Sequence, residues 1–409
     1  MKKVRMPLLS WKSLFLLCLA LMILPAGSAF AAVNKPFPQH TTYTSGSIKP
    51  NNVTQTAMDT SVKTKWNEWK AAYLKTAGTG KYYVKYNPEG ETVSEAHGYG
   101  MLFTVLMAGN DANAQTYYNG LYNYYKAHPS AINPYLMSWK QNSNFQNIEG
   151  EDSATDGDMD IAFSLLLADK QWGSSGTINY LQAAKNIIGA IMDNEINQTQ
   201  WTIRLGDWAN SGSYNTATRP SDFMLNHLKA YQAATGDTRW KNVTDKTYTI
   251  INSLYNGYSA STGLLPDFVV YSGGVYTPAP ANFLEDANDG SYNYNSCRTP
   301  WRITTDYLLT GDNRALSQLN QLNSWIKTKT GSTPGSIKDG YKLNGTVFGS
   351  YNSGAFYAPF GVSAMTSSTN QSWLNAVWSH TAGSSSEGYY EDSIKLFSLI
   401  VMSGNWWTY

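Results

Sequence analysis

Apolar residues recur at spacings of three and four along most of the chain beyond residue 53, the periodicity of helices that bury one face. The pattern predicts helices near 54–77, 94–108, 111–128, 157–169, 178–194 and 220–235. Six more are predicted near 238–256, 298–311, 313–330, 355–367, 370–381 and 389–403. Gly236 and Gly311 follow two of these segments, where a helix commonly ends in left-handed backbone. Strand signals are sparse, and Leu264–Tyr276, with Gly273-Gly274 inside it, is the best hairpin. Gaps at 129–156, 195–219 and 257–297 are long for connections in a compact domain, and such loops are usually functional. Twelve helices joined in this way suggest six helical hairpins closed into a ring, with an open helical solenoid as the competing arrangement.

The start of the chain breaks the pattern. Lys2, Lys3, Arg5 and Lys12 precede an apolar run from Leu14 to Leu24, followed by Pro25 and Ala29-Phe30-Ala31. A basic start, a short apolar middle and small residues at the end read as a secretory signal cut after Ala31. The run is too short to span a bilayer, and no later segment is long and apolar enough, so the mature chain is expected outside the cell and off the membrane. Residues 32–53 are polar and Pro-containing and read as an extended lead-in, leaving 54–409 as one domain. With Cys18 in the signal, Cys297 is alone and no internal disulfide can form.

Charge narrows the function classes. Lys and Arg number 30 against 29 Asp and Glu, and only 14% of residues are charged. This balance argues against disorder and against nucleic-acid or other polyanion binding. The chain carries 14 Trp and 29 Tyr, whose rings offer flat apolar faces with polar edges that suit sugars. Composition alone favours the plainer reading, a large core with Tyr-rich loops.

None of the five histidines pairs at i, i+4 or sits near Cys297, so no zinc motif appears. Serine-hydrolase, P-loop and dinucleotide fingerprints are also missing. Carboxylates remain. Glu95 lies in Ser94-Glu95-Ala96-His97-Gly98-Tyr99-Gly100, at the opening of an apolar helix, where a capping-region Glu is the local reading. Glu151, Asp152, Asp156, Asp158 and Asp160 precede the apolar stretch Ile161–Ala168. Locally they read as N-capping by Asp156 or Asp158, and the spacing of a calcium-binding EF-hand is absent. Carboxylates crowded at a helix N-terminus can also have their pKa values pushed apart, as acid/base hydrolysis of an acetal requires.

Ala154-Thr155-Asp156-Gly157-Asp158-Met159-Asp160, read on through Trp172, resembles the signature of glycoside hydrolase family 8, the bacterial endoglucanase, lichenase and chitosanase family. Ser94-Glu95 with Gly98-Tyr99-Gly100 resembles that family's general-acid motif. Leu136–Trp139, Gly206-Asp207-Trp208 and Arg298-Thr299-Pro300-Trp301-Arg302 resemble three further blocks in family order, so the likeness runs from about residue 60 to 403. It implies an all-α (α/α)6 barrel and hydrolysis with inversion, needing no metal or cofactor.

The resemblance makes Glu95 the general acid and puts Asp156 at the cleavage subsite, holding the distorted sugar. Many members have an Asp as base where this chain has Asn295, and a neutral amide cannot take a proton from water. The chain is similar to a subset that supplies a Glu from an inserted loop. Glu285 is therefore the preferred base, ahead of Asp286 and Asp289, as the only Glu in the 257–297 loop. An inverting pair should stand roughly 6.5–9.5 Å apart. Trp139, Trp208 and Trp301 are expected to stack on glucosyl units, and Tyr214, Tyr294, Tyr389, Tyr390 and Arg298 to line the cleavage site. The implied substrate is mixed-linkage β-1,3-1,4-glucan, with soluble β-1,4-glucan or chitosan as the alternatives within the family and a silent glycan-binding protein outside it. The enzyme is expected to act as a monomer.

Overall fold

Every residue of the segment Ser94–Leu106 except Glu95 is buried, so this helix belongs to the inside of the molecule and has no amphipathic face. The computed structural model describes residues 33–409, and the proposed signal lies outside them. Among the described residues the twelve helices are α1 (Gln55–Tyr73), α2 (Ser94–Leu106), α3 (Ala114–Ala127), α4 (Thr155–Trp172), α5 (Tyr180–Ala190) and α6 (Leu225–Thr235). They continue as α7 (Arg239–Tyr258), α8 (Thr299–Thr310), α9 (Leu316–Thr330), α10 (Gly354–Ala364), α11 (Gln371–Gly383) and α12 (Tyr389–Met402). All twelve sequence-predicted helices are present, with ends displaced by a few residues.

The even-numbered helices form an inner ring. α2 packs on α4, α4 on α6, α6 on α8, α8 on α10 and α10 on α12. The ring closes where Phe397 of α12 meets Phe103 and Tyr99 of α2, with ring centroids 4.0 and 4.9 Å apart. Each odd-numbered helix covers an inner one: α1 lies on α12, α3 on α2, α5 on α4, α7 on α6, α9 on α8 and α11 on α10. This is the (α/α)6 barrel. Closure rather than an open solenoid follows because α2 and α12 each have an apolar face left to bury, and each buries it on the other.

The two ends of the ring differ. Residues 33–53 have no regular secondary structure. Their backbone N–H groups reach the C-terminal ends of five inner helices: Asn34 to Gln171 O, Phe37 to Ala108 O, Thr41 to Gly404 O, Thr44 to Leu308 O and Ile48 to Met365 O. The lead-in thus satisfies backbone groups at one mouth of the barrel. The N-terminal ends of the inner helices face the opposite mouth, and the long loops gather there.

Three local details matter for the site. Gly98 and Gly157 let α2 and α4 approach closely, since a Cβ on Gly98 would meet the Asp160 Cβ at 2.7 Å and one on Gly157 the Ser94 Cβ at 2.6 Å. The predicted helix 178–194 becomes α5 followed by a π-helical turn, Ile191–Glu195, which ends at the buried Glu195. The hairpin turns at Gly273-Gly274 as expected, but its strands are Val269–Ser272 and Val275–Pro278, so the apolar Leu264–Phe268 is a buried loop instead of a strand.

Candidate active site

Glu95 is in the first turn of α2 and Asp156 in the first turn of α4, and the close glycine crossing brings these turns together. Neither is the N-cap residue of its helix, although Asp156 Oδ1 also accepts the Gly157 N–H at 3.0 Å. Ala154, the residue ahead of α4, offers no side-chain cap, and Asp158 turns to the Met137 N–H. The five-carboxylate segment is therefore divided by helix period. Asp156 faces the ring's mouth. Asp160, four residues on, is buried against Arg302, 2.6 Å away, and His227, 2.9 Å away. Asp158, on the opposite side, accepts from the Met137 N–H at 2.8 Å and lies near the buried carboxyl of Glu195.

Glu95, Asp156 and Glu285 line one open cavity of about 290 Å³, together with Trp139, Arg219, Asn295, Arg298, Tyr389 and Tyr390. Arg298, buried at the head of α8, organises it. Its Nη1 lies 2.7 Å from Glu95 Oε2 and 2.9 Å from Asp156 Oδ2. Its Nη2 donates to Ser221 Oγ at 3.1 Å and to Asn295 Oδ1 at 3.0 Å. Arg219 Nη2 faces Asp156 Oδ1 at 3.0 Å from the other side.

These contacts split the two carboxyls. Burial drives Glu95 up and outweighs the pull of Arg298, leaving it at about 7. Burial also opposes the charge on Asp156, but Arg219 and Arg298 together overcome it and hold that group at about 2. Near neutral pH the site thus holds a protonatable acid beside a carboxylate that stays ionised. The Tyr389 hydroxyl donates to Glu95 Oε1 at 3.3 Å.

Of the loop carboxylates, only Glu285 lines the cavity. Asp289 is buried and accepts the N–H groups of Leu284, Glu285 and Asp286 at 2.7, 3.1 and 3.0 Å. It is the loop's internal anchor. Asp286 accepts from the side chain of Asn293 at 3.4 Å.

Four expected site residues are not in the cavity lining. Trp301 is 1% exposed and stacks on Phe397, centroids 4.6 Å apart, with the Arg302 guanidinium 4.0 Å from its ring centroid, so it is core and cannot meet a sugar. Trp208 and Tyr214 pack against each other and, through Tyr214, against Phe283 over an apolar cluster that includes Leu205 and Phe268. Tyr214 donates to Phe283 O at 3.3 Å and so braces the loop that carries Glu285. Tyr294 stands just outside the cavity, its hydroxyl donating to Asp339 at 3.0 Å. Sequence reading missed Arg219. Arg219-Pro220-Ser221-Asp222 offers only an arginine ahead of a helix, a weak signal without the fold.

The family model described as "Glycosyl hydrolases family 8" matches residues 36–404. The chain is 76% identical to a "Beta-glucanase" of Niallia circulans over 409 residues, covering all of both chains. It is 44% identical to an "Endoglucanase" of Bacillus sp. (strain KSM-330), over 93% of this chain and 83% of that one. Among solved structures, the apo β-1,3-1,4-glucanase from Paenibacillus sp. X4 superposes with a TM-score of 0.92 at 79% identity, over 92% of this chain and 100% of that chain.

Proposed function

The chain belongs to glycosyl hydrolases family 8 and is an endo-acting β-glucanase, and we propose that it cuts mixed-linkage β-1,3-1,4-glucan with inversion, using Glu95 as acid and Glu285 as base. One observation carries this reading: Glu95 and Glu285 line the same cavity, with Asp156 held between two guanidiniums beside them.

In the proposed reaction Glu95, protonated below about pH 7, gives its proton to the departing glycosidic oxygen. Water on the opposite ring face loses its proton to Glu285 and attacks C1, inverting the anomeric centre. Asp156 keeps its negative charge and favours the sugar as positive charge develops at the ring. Trp139 offers a stacking face, and Tyr389 steadies the acid.

The charge of the cavity supports a neutral glucan over cationic chitosan. With Glu95 protonated, the carboxylates of Asp156 and Glu285 are matched by the guanidiniums of Arg219 and Arg298. A balanced site has no excess negative field to draw in a polycation. Among the described residues no helix is long and apolar enough to cross a membrane. The basic, apolar and small-residue order of residues 1–31 supports secretion.

Product release from lichenan, carboxymethylcellulose and chitosan, with the new anomer followed by NMR, tests the reading. Fastest release from lichenan with α-anomer appearing first is expected. Initial β-anomer or preferred cleavage of chitosan would overturn it.

A further inference from the structure

Asn295 stands where the family resemblance expects a base, yet its amide cannot take a proton. Its contacts give it another task. Asn295 Nδ2 donates to Glu285 Oε2 at 2.8 Å, while its Oδ1 accepts from Arg298 Nη2 at 3.0 Å. The amide is therefore held between a carboxylate that needs a donor and a guanidinium that needs an acceptor. A carboxylate at this position could satisfy only the second.

The turn that presents the amide is fixed independently. Buried Asp267 Oδ1 accepts the N–H groups of Asn293 and Ser296 at 3.1 and 2.7 Å. The loop on the other side is fixed by Asp289 through three backbone N–H groups. Backbone anchors thus set both flanks, and the Asn295–Glu285 hydrogen bond links the side chains across the gap. The charged groups around Glu285 are Arg219 across the cavity, Asp267 behind the turn, and Asp286 and Asp289 in its own loop.

We propose that Asn295 is a positioning residue that aims the Glu285 carboxylate and ties it to Arg298, the same guanidinium that contacts Glu95 and Asp156. One arginine then registers the acid, the charge-stabilising carboxylate and, through the Asn295 amide, the base. The inference rests on the reading of Glu285 as base. It also explains why a neutral side chain suits position 295: an aspartate there would set a second carboxylate against Glu285, and like charges at that separation resist joint ionisation.

The test compares Asn295→Ala, Asn295→Asp and Glu285→Gln, each assayed on lichenan for kcat, KM and pH profile, with Tm measured alongside. Asn295→Ala is expected to lower kcat about 10- to 100-fold through loss of aim, with KM changed by less than about threefold. Asn295→Asp, nearly isosteric, is expected to move the acidic limb of the kcat profile to higher pH by about one unit or more. This limb reads the site even if the alanine variant loses stability. If Glu285→Gln is inactive while both Asn295 variants keep the parent kcat and profile, the positioning role is overturned and the base assignment stands. If Glu285→Gln turns over near the parent rate, both are overturned.

Discussion

Arg298 touches the Glu95 carboxyl at 2.7 Å, yet Glu95 keeps its proton up to about pH 7. An adjacent guanidinium ordinarily stabilises the carboxylate, but here Asp156 takes part of the same positive charge and burial opposes ionisation of Glu95. With Glu95 as the proposed proton donor, kcat/KM is expected to fall as pH rises through about 7, tenfold per unit beyond it. A profile flat to pH 9 would show that Glu95 is not the donor. Glu95→Gln should lower kcat by about 10²-fold or more at every pH.

Glu285→Gln removes the proposed proton acceptor and keeps the side chain's size. Turnover on lichenan is expected to fall by about 10²-fold or more. Added azide, which needs no base, should accelerate Glu285→Ala and leave the parent unchanged. Near-parent turnover by Glu285→Gln would remove this residue from the mechanism.

Two tryptophans in family-like blocks should respond in opposite ways. Trp301 lies between Phe397 and Arg302 in the core, so Trp301→Ala is expected to cost about 3–5 kcal/mol of stability, read by denaturant unfolding. Trp139 lines the cavity, so Trp139→Ala should leave stability nearly unchanged and raise KM about three- to tenfold, the loss of about 0.5–1.5 kcal/mol of stacking. An unchanged KM would place Trp139 outside the substrate path.

Asp158 and Glu195 are neighbouring buried carboxyls, and burial drives both pKa values up, helped by the charge of Glu195 at Asp158 and of Asp207 at Glu195. Folding then holds a proton that the unfolded chain releases above its ordinary value of 4.5. Stability should therefore decline from about pH 4.5, with the loss complete once pH has passed the folded-state value of about 8. Glu195→Gln can still donate to Asp158 and accept from Ser153, whose hydroxyl lies 2.6 Å from Glu195 Oε1. It should flatten the fall in Tm across that window. An equally steep fall in the variant would move the cause elsewhere.

The helices were legible in the sequence because their signal is local. Period 3.6 marks each of the twelve, and the glycines at 236 and 311 end their helices at φ of 73° and 72°. The family-like motifs likewise marked Glu95 and Asp156 without any fold. Outcomes that depend on several elements were less legible. Trp301 and Trp139 both sit in family-like blocks, but the inner ring buries one and leaves the other at the mouth. The acidic run 151–160 reads as one cluster, and the helix distributes Asp156, Asp158 and Asp160 among a cavity, a buried carboxyl pair and a buried ion pair.

The helix count, the Glu95 and Asp156 motifs and the absence of a carboxylate at 295 could be read from the chain alone, since each is a matter of residue identity and short-range spacing. The sequence already preferred Glu285 as the loop's only Glu; the fold adds the physical reason, since Asp289 spends its oxygens on backbone N–H groups while Glu285 meets the Asn295 amide at the cavity. Only the tertiary structure revealed Arg219 opposite Arg298, because electrostatic balance depends on distances between helices far apart in the chain.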